Sequence, residues 1–131
     1  MADIYTPKDF THLLGTPGFS DALLTNHFTL YEGYVKNTNA LVNLLETKEL
    51  GTPEYAELQR RFGWEWNGMR LHELYFGNMT KAAGALGDGK LKEKIEAVYG
   101  SLEKWKAAFI GVGAMRRIGW VVLSHDREQD E

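Results

Sequence analysis

Leu71-His72-Glu73-Leu74-Tyr75-Phe76-Gly77-Asn78-Met79 sets a histidine inside an apolar helical stripe, one turn before two adjacent aromatics. Working outward, Leu58, Phe62, Trp66, Met69, His72, Phe76 and Met79 recur at steps of three and four. That is the period of one buried helix face, and it puts His72 at a core position. A buried imidazole has two ring nitrogens to satisfy. Two kinds of partner are open to it: a backbone carbonyl or tyrosine in a structural role, or a metal ion.

A second long helix is expected upstream. Ser20 reads as its N-cap, with Asp21 in the first turn where a negative charge suits the helix dipole. Leu23, Leu24, His27, Tyr31, Tyr34, Leu41 and Leu45 share one broad face, with His27, Tyr31 and Tyr34 at i, i+4 and i+7. Asn37-Thr38-Asn39 weakens helix propensity midway, and the apolar period resumes at Leu41. Gly51-Thr52-Pro53 separates the two helices: Thr52 is an N-cap, and Pro53 occupies the first helical position, where a missing N–H costs nothing. The second helix is expected to run to about Ala85, with irregularity at Gly63 and Gly68. Residues 1–19 carry the breakers Pro7, Gly15, Pro17 and Gly18 and read as an irregular arm. Residues 1–86 thus form a helical hairpin domain, long and antiparallel, with an inward histidine on each helix.

Residues 87–131 read as the beginning of an α+β domain. A short helix carries Leu91, Ile95 and Val98 inside, Gly100 breaks it, and Ser101 caps another with Leu102, Trp105 and Phe109. Gly119-Trp120-Val121-Val122-Leu123 reads as one strand, and no second strand is visible to pair with it. The tail from His125 is polar and is expected to be solvated. The expected fold class is mostly α: a hairpin, then short helices and one strand of an incomplete α+β domain.

Composition removes several function classes. In 131 residues, 44% are hydrophobic and 25% charged, which is ordinary for a globular domain. A net charge of -3 and the lack of any Lys/Arg run speak against nucleic-acid binding. There is no cysteine, hence no disulfide, thiolate nucleophile or cysteine metal site within the chain. No signal-peptide pattern and no membrane-length apolar run is visible, so a cytoplasmic location and no membrane partner are expected. The residues three before His12, His27, His72 and His125 are Asp9, Leu24, Met69 and Val122, which rules out the Glu-x-x-His pairs of di-iron bundles. His-Glu-x-x-His, P-loop and G-x-S-x-G patterns are also missing. His12, His125 and the pairs Arg60-Arg61 and Arg116-Arg117 read as solvated surface groups.

Three blocks in order resemble the iron/manganese superoxide dismutase family. His72 followed by Tyr75-Phe76 and Asn78-Met79 resembles its second-helix motif. His27 to Asn39, with Tyr34-Val35-Lys36-Asn37, resembles its first-helix motif. Tyr99-Gly100-Ser101 with Trp105-Lys106, then Ile118-Gly119-Trp120, resembles its third block and the tryptophan-rich strand.

The resemblance implies an iron or manganese ion, superoxide as substrate, and oxygen and hydrogen peroxide as products. It implies that His27 and His72 are metal ligands and that Tyr34 is the neighbouring phenol. The family histidine stands eight residues before the tyrosine, whereas His27 stands seven before Tyr34, so a gapless register puts Asn26 there instead. A single-residue difference of this kind in a helix is typically a π-bulge; His27 is favoured because it lies on the apolar face. Gly68 stands where the iron type carries a glutamine, a manganese-like arrangement that does not decide between the metals. The family's Asp-x-Trp-Glu-His segment, which brings its other two ligands, has no counterpart here. The expectation is therefore a superoxide dismutase present as an incomplete chain, with a homodimer or a second chain completing the sheet. A non-catalytic scaffold that kept the hairpin is the alternative.

Overall fold

A computed structural model describes residues 4–82, 84–116 and 119–130. The chain divides into two compact units, Met1–Ala83 and Gly84–Glu131. In the first, a 3-10 turn at Thr11–Leu13 precedes α1 (Asp21–Leu45) and α2 (Pro53–Gly77). In the second, α3 (Lys90–Tyr99) precedes α4 (Leu102–Gly113).

The helices begin where their caps dictate. Ser20 accepts from the Leu23 N–H at 3.1 Å, and Thr52 accepts from Tyr55 at 3.2 Å with Pro53 in the first turn. α1 runs unbroken through Asn37-Thr38-Asn39, contrary to what propensity suggests. Thr38 bonds its hydroxyl back to the Tyr34 carbonyl at 2.7 Å, and Asn39 turns its amide outward to the arm. A local back-bond from Thr38 and tertiary bonds from Asn39 thus occupy side chains that would otherwise compete with the helix. α2 is regular through Gly63 and Gly68 but ends at Gly77, well short of the expected Ala85.

The hairpin core combines Leu24, Phe28, Tyr31 and Val35 of α1 with Met69 and Phe76 of α2. Leu23, expected inside, is 54% exposed, because its neighbour Leu24 takes the inward position. The arm is irregular but not loose. Phe10 and Leu13 are core residues, and the Phe10 ring sits 4.9 Å from Phe76 and 5.6 Å from Tyr31. Asn39 pins the start of the arm: its Oδ1 accepts from Ile4 and Tyr5 N–H at 3.1 and 2.9 Å, and its Nδ2 donates to the Tyr5 carbonyl at 2.8 Å. Three hydrogen bonds from one buried amide make the backbone of an extended segment part of the packed unit.

In the second unit, Gly100 takes the left-handed conformation (φ 85°) that ends α3, and Ser101 caps α4 by accepting from Lys104 N–H at 3.1 Å. Ile95 is buried, whereas Leu91 and Val98, also expected inside, are more than half exposed. Trp105 and Phe109 stack at 5.5 Å as their spacing of one turn requires. The expected strand Gly119–Leu123 is corrected: there is no strand among the described residues. Gly119 is a bend, and Trp120 to Leu123 carry no ladder, since a strand needs a paired neighbour to satisfy its backbone. Arg117 and Ile118, named in the motifs above, lie outside the described residues. The polar tail turns at 127–130, where Lys94 bonds the Asp130 carbonyl at 2.6 Å and also its carboxylate.

Candidate metal centre between the hairpin helices

His72 lies on α2, 4% exposed, and His27 lies half-buried on α1. Their ring centroids are 4.9 Å apart and nearly perpendicular, at 83°. His27 also meets Phe76 at 5.0 Å and Tyr75 at 5.3 Å, so the aromatic pair after His72 forms one wall. Tyr34 lies 5.2 Å from the His72 ring, tilted by 34°.

The helix itself decides which of the two candidate residues faces His72. α1 is α-helical from Asp21 to Leu45, with no π turn. In an unbulged helix, seven residues make nearly two turns, so His27 and Tyr34 share a face. Asn26 is exposed, and His27 is the residue that meets His72.

The protonation of His72 follows from one hydrogen bond. Its Nδ1 is 2.6 Å from the Gly68 carbonyl oxygen, one turn back on α2. A carbonyl can only accept, so the proton is on Nδ1 and Nε2 carries the lone pair. This is the tautomer a metal-ligating histidine adopts when its second nitrogen is fixed by a neighbour. Burial holds both imidazoles below their ordinary range, and for His27 the neighbouring His72 adds to the effect; for His72 the Gly68 bond works the other way but does not prevail. Both rings are therefore neutral near pH 7, as metal ligation requires.

Gly68 serves the site in a second way that spacing did not reveal. A Cβ there would stand 2.4 Å from two ring atoms of Tyr34 and 2.9 Å from a third. The Tyr34 ring thus lies directly on the α2 backbone, in space that only glycine leaves open. With Tyr34 so placed, a glutamine at position 68 has no room.

Sequence reasoning also missed two buried carboxylates. Glu73 receives the Tyr31 hydroxyl at 3.1 Å, Arg70 at 2.7 Å and the Lys8 ammonium at 3.1 Å, while the Lys8 N–H donates to Tyr31 at 3.0 Å. Burial opposes ionisation of Glu73, but bonds from Arg70, Lys8 and Tyr31 outweigh it and hold the carboxyl below its ordinary range. Burial pushes the Tyr31 phenol up. Glu65, 2% exposed, is held by Arg61 and by Asn37. A sequence offers one trace of each, an Arg at three or four residues' distance on the same helix; nothing in it marks them as buried.

The other two histidines play no part here. His12 is exposed, and His125 is exposed beside Asp130 at 3.1 Å. Among the described residues no group of three or more His, Cys, Asp or Glu side chains is arranged to hold a metal ion. Within these limits the donor chemistry fits part of a metal site: two neutral imidazoles, one with its Nε2 lone pair defined.

A long helical hairpin with one inward histidine on each helix and a tyrosine against the second defines the class. No family model matches the chain. Individual relatives do. It is 36% identical over 114 residues to the protein named Superoxide dismutase [Fe] of Cupriavidus metallidurans, covering 82% of this chain and 57% of that one. It is 34% identical over 125 residues to Superoxide dismutase [Mn] 1 of Halobacterium salinarum, covering 92% and 60%. To Superoxide dismutase [Fe] of Aquifex pyrophilus it is 32% identical over 133 residues, again covering 92% and 60%. The chain belongs to the iron/manganese superoxide dismutase family and spans about three fifths of the length of the curated relatives it matches. Their names divide between the two metals. No described helix is long and apolar enough to cross a membrane.

Proposed function

We propose that His27 and His72 are two ligands of an iron or manganese ion in a superoxide dismutase site, with Tyr34 as the neighbouring phenol. The observation that carries this reading is the pairing of two neutral imidazoles from facing helices at 4.9 Å, with the His72 proton assigned to Nδ1. The ion, when bound, supplies the change of oxidation state by which one superoxide is oxidised to oxygen and the next reduced to peroxide.

The chain's own residues do the rest. Gly68 orients His72 by accepting its Nδ1 proton, which fixes the ring plane and raises the donor strength of Nε2. Phe76 and Tyr75 cover His27 and limit the water around it. Tyr34 places its phenol ring beside His72 and is itself partly exposed to solvent. Two imidazoles leave coordination positions that donors beyond this pair must fill, and a carboxylate among them would favour the higher oxidation state.

The test is metal content and dismutation of purified protein, compared with His27→Ala and His72→Ala. Bound iron or manganese that either substitution removes supports the proposal. If both variants keep the metal content and activity of the parent and lose only stability, the hairpin is a non-catalytic scaffold.

A further inference from the structure

We infer that Glu65 is a positioning residue for Tyr34: through Asn37 it fixes the helix register in which the Tyr34 ring lies on Gly68 beside His72. This rests on the reading of Tyr34 and His72 as parts of one site.

Glu65 is the most deeply buried carboxylate among the described residues, at 2% exposure in the hairpin interface. A carboxylate buried there beside a half-exposed Arg61 is a poor source of stability, since an apolar side chain of similar volume avoids the cost of taking the charge out of water. Its two partners divide the work. Arg61 lies one turn away on the same helix, so its bond to Oε1 at 2.8 Å neutralises the charge but says nothing about α1. Asn37 lies on α1, and its Nδ2 donates to Oε2 at 3.2 Å. That bond is the one that senses how the helices are placed along each other.

The geometry links this bond to the site. Asn37 is three residues beyond Tyr34 on α1, and Glu65 is three residues before Gly68 on α2. In an antiparallel pair, Asn37 on Glu65 and Tyr34 on Gly68 are therefore successive rungs of one ladder. A slip of one residue moves α1 about 1.5 Å along its axis and turns it by more than a quarter turn. It would leave a carboxylate oxygen buried without its partner and move the Tyr34 ring off the glycine backbone on which it lies. Glycine supplies the space, and the Glu65–Asn37 bond holds the ring over it.

The experiment is the cross-peak between Tyr34 and His72 ring protons in NMR of the metal-free chain, recorded with thermal unfolding. It needs neither metal nor activity, so its outcome is separate from that of the proposed dismutase reading. In Glu65→Leu the expected result is an unfolding temperature at or above the parent's, with the cross-peak at about a quarter or less. A cross-peak falls with the sixth power of distance, so that is the fall expected when a ring separation of 5.2 Å grows by about 1.5 Å. Glu65→Gln, which still accepts from Asn37, should restore the cross-peak. Asn37→Ala, at an exposed position, should weaken it without unfolding the chain and decides the matter if Glu65→Leu does not fold. A parent-strength cross-peak in folded Glu65→Leu, or in Asn37→Ala, overturns the inference.

Discussion

The Gly68 carbonyl accepts the Nδ1 proton of His72 at 2.6 Å, while the missing side chain of the same glycine makes room for the Tyr34 ring. One residue thus sets the tautomer of a candidate ligand and the place of its aromatic neighbour. Any residue has a carbonyl for the first role, but the second is closed to a residue with a Cβ unless Tyr34 moves.

Gly68→Ala is expected to destabilise the hairpin. Forcing a methyl against the ring costs about 1–3 kcal/mol, and alanine's better helix propensity returns only about 1 kcal/mol of it. The sign should reverse in a Tyr34→Ala background, where the ring is gone and the same substitution should stabilise by up to about 1 kcal/mol. Urea unfolding of the four proteins in that cycle measures both. Equal effects of Gly68→Ala with and without the tyrosine would mean that the ring does not rest on this backbone in solution.

The two imidazoles make stability fall on the acid side of neutrality. Burial holds both below their ordinary value of 6.5, with His72 adding to the effect on His27. A folded pKa below the unfolded one means that the unfolded chain binds protons first. Stability is therefore full above pH 6.5 and declines below it, until the folded rings themselves protonate. Unfolding temperatures between about pH 7.5 and pH 5.5 should show this decline, and a His27→Gln/His72→Gln variant should show a flatter profile over the same range. A parent profile as flat as the variant's would place the imidazoles in water.

Glu73 ties the arm to the hairpin, and its removal should loosen the arm first. Glu73→Ala leaves Arg70, the Lys8 ammonium and the Tyr31 hydroxyl without their shared acceptor. The expected loss is about 1–3 kcal/mol, with faster proteolysis between residues 4 and 19. Because bonds from Arg70, Lys8 and Tyr31 hold its pKa below the ordinary 4.5, against the pull of burial, this contribution is present above pH 4.5 and is lost as pH falls through the folded value. Unchanged protection of the arm in Glu73→Ala would assign its anchoring to Asn39 and the Phe10–Phe76 contact instead.

Periodicity made the hairpin legible because it is a property of each helix alone: caps at Ser20 and Thr52, an apolar face through Met69, His72 and Phe76, and His27 one and two turns from Tyr31 and Tyr34. What it hid depends on facing surfaces. The closure of Tyr34 on Gly68, the burial of Glu65 and the role of Phe10 in the core come from residues far apart in the chain. The expected end of α2 differs because Lys81-Ala82-Ala83 are good helix formers, whereas the helix turns off at Asn78. Trp120 to Leu123 has the composition of a strand, and composition cannot supply the partner that makes one.

The register of α1 leads to a discriminating prediction at the proposed site. A helix without a π turn turns His27 toward His72 and leaves Asn26 exposed, although a gapless match to the family pattern favours Asn26. Manganese(II) is paramagnetic, so it broadens the ring protons of any histidine that binds it, even when two imidazoles hold it weakly. Titration of the chain should broaden His27 and His72 together and leave His12 and His125 sharp. His27→Ala should weaken this binding by about tenfold or more, equivalent to about 1.4 kcal/mol, and Asn26→Ala should leave it unchanged. The opposite ranking would move the first ligand to Asn26 and require α1 to rotate about its axis when the ion binds.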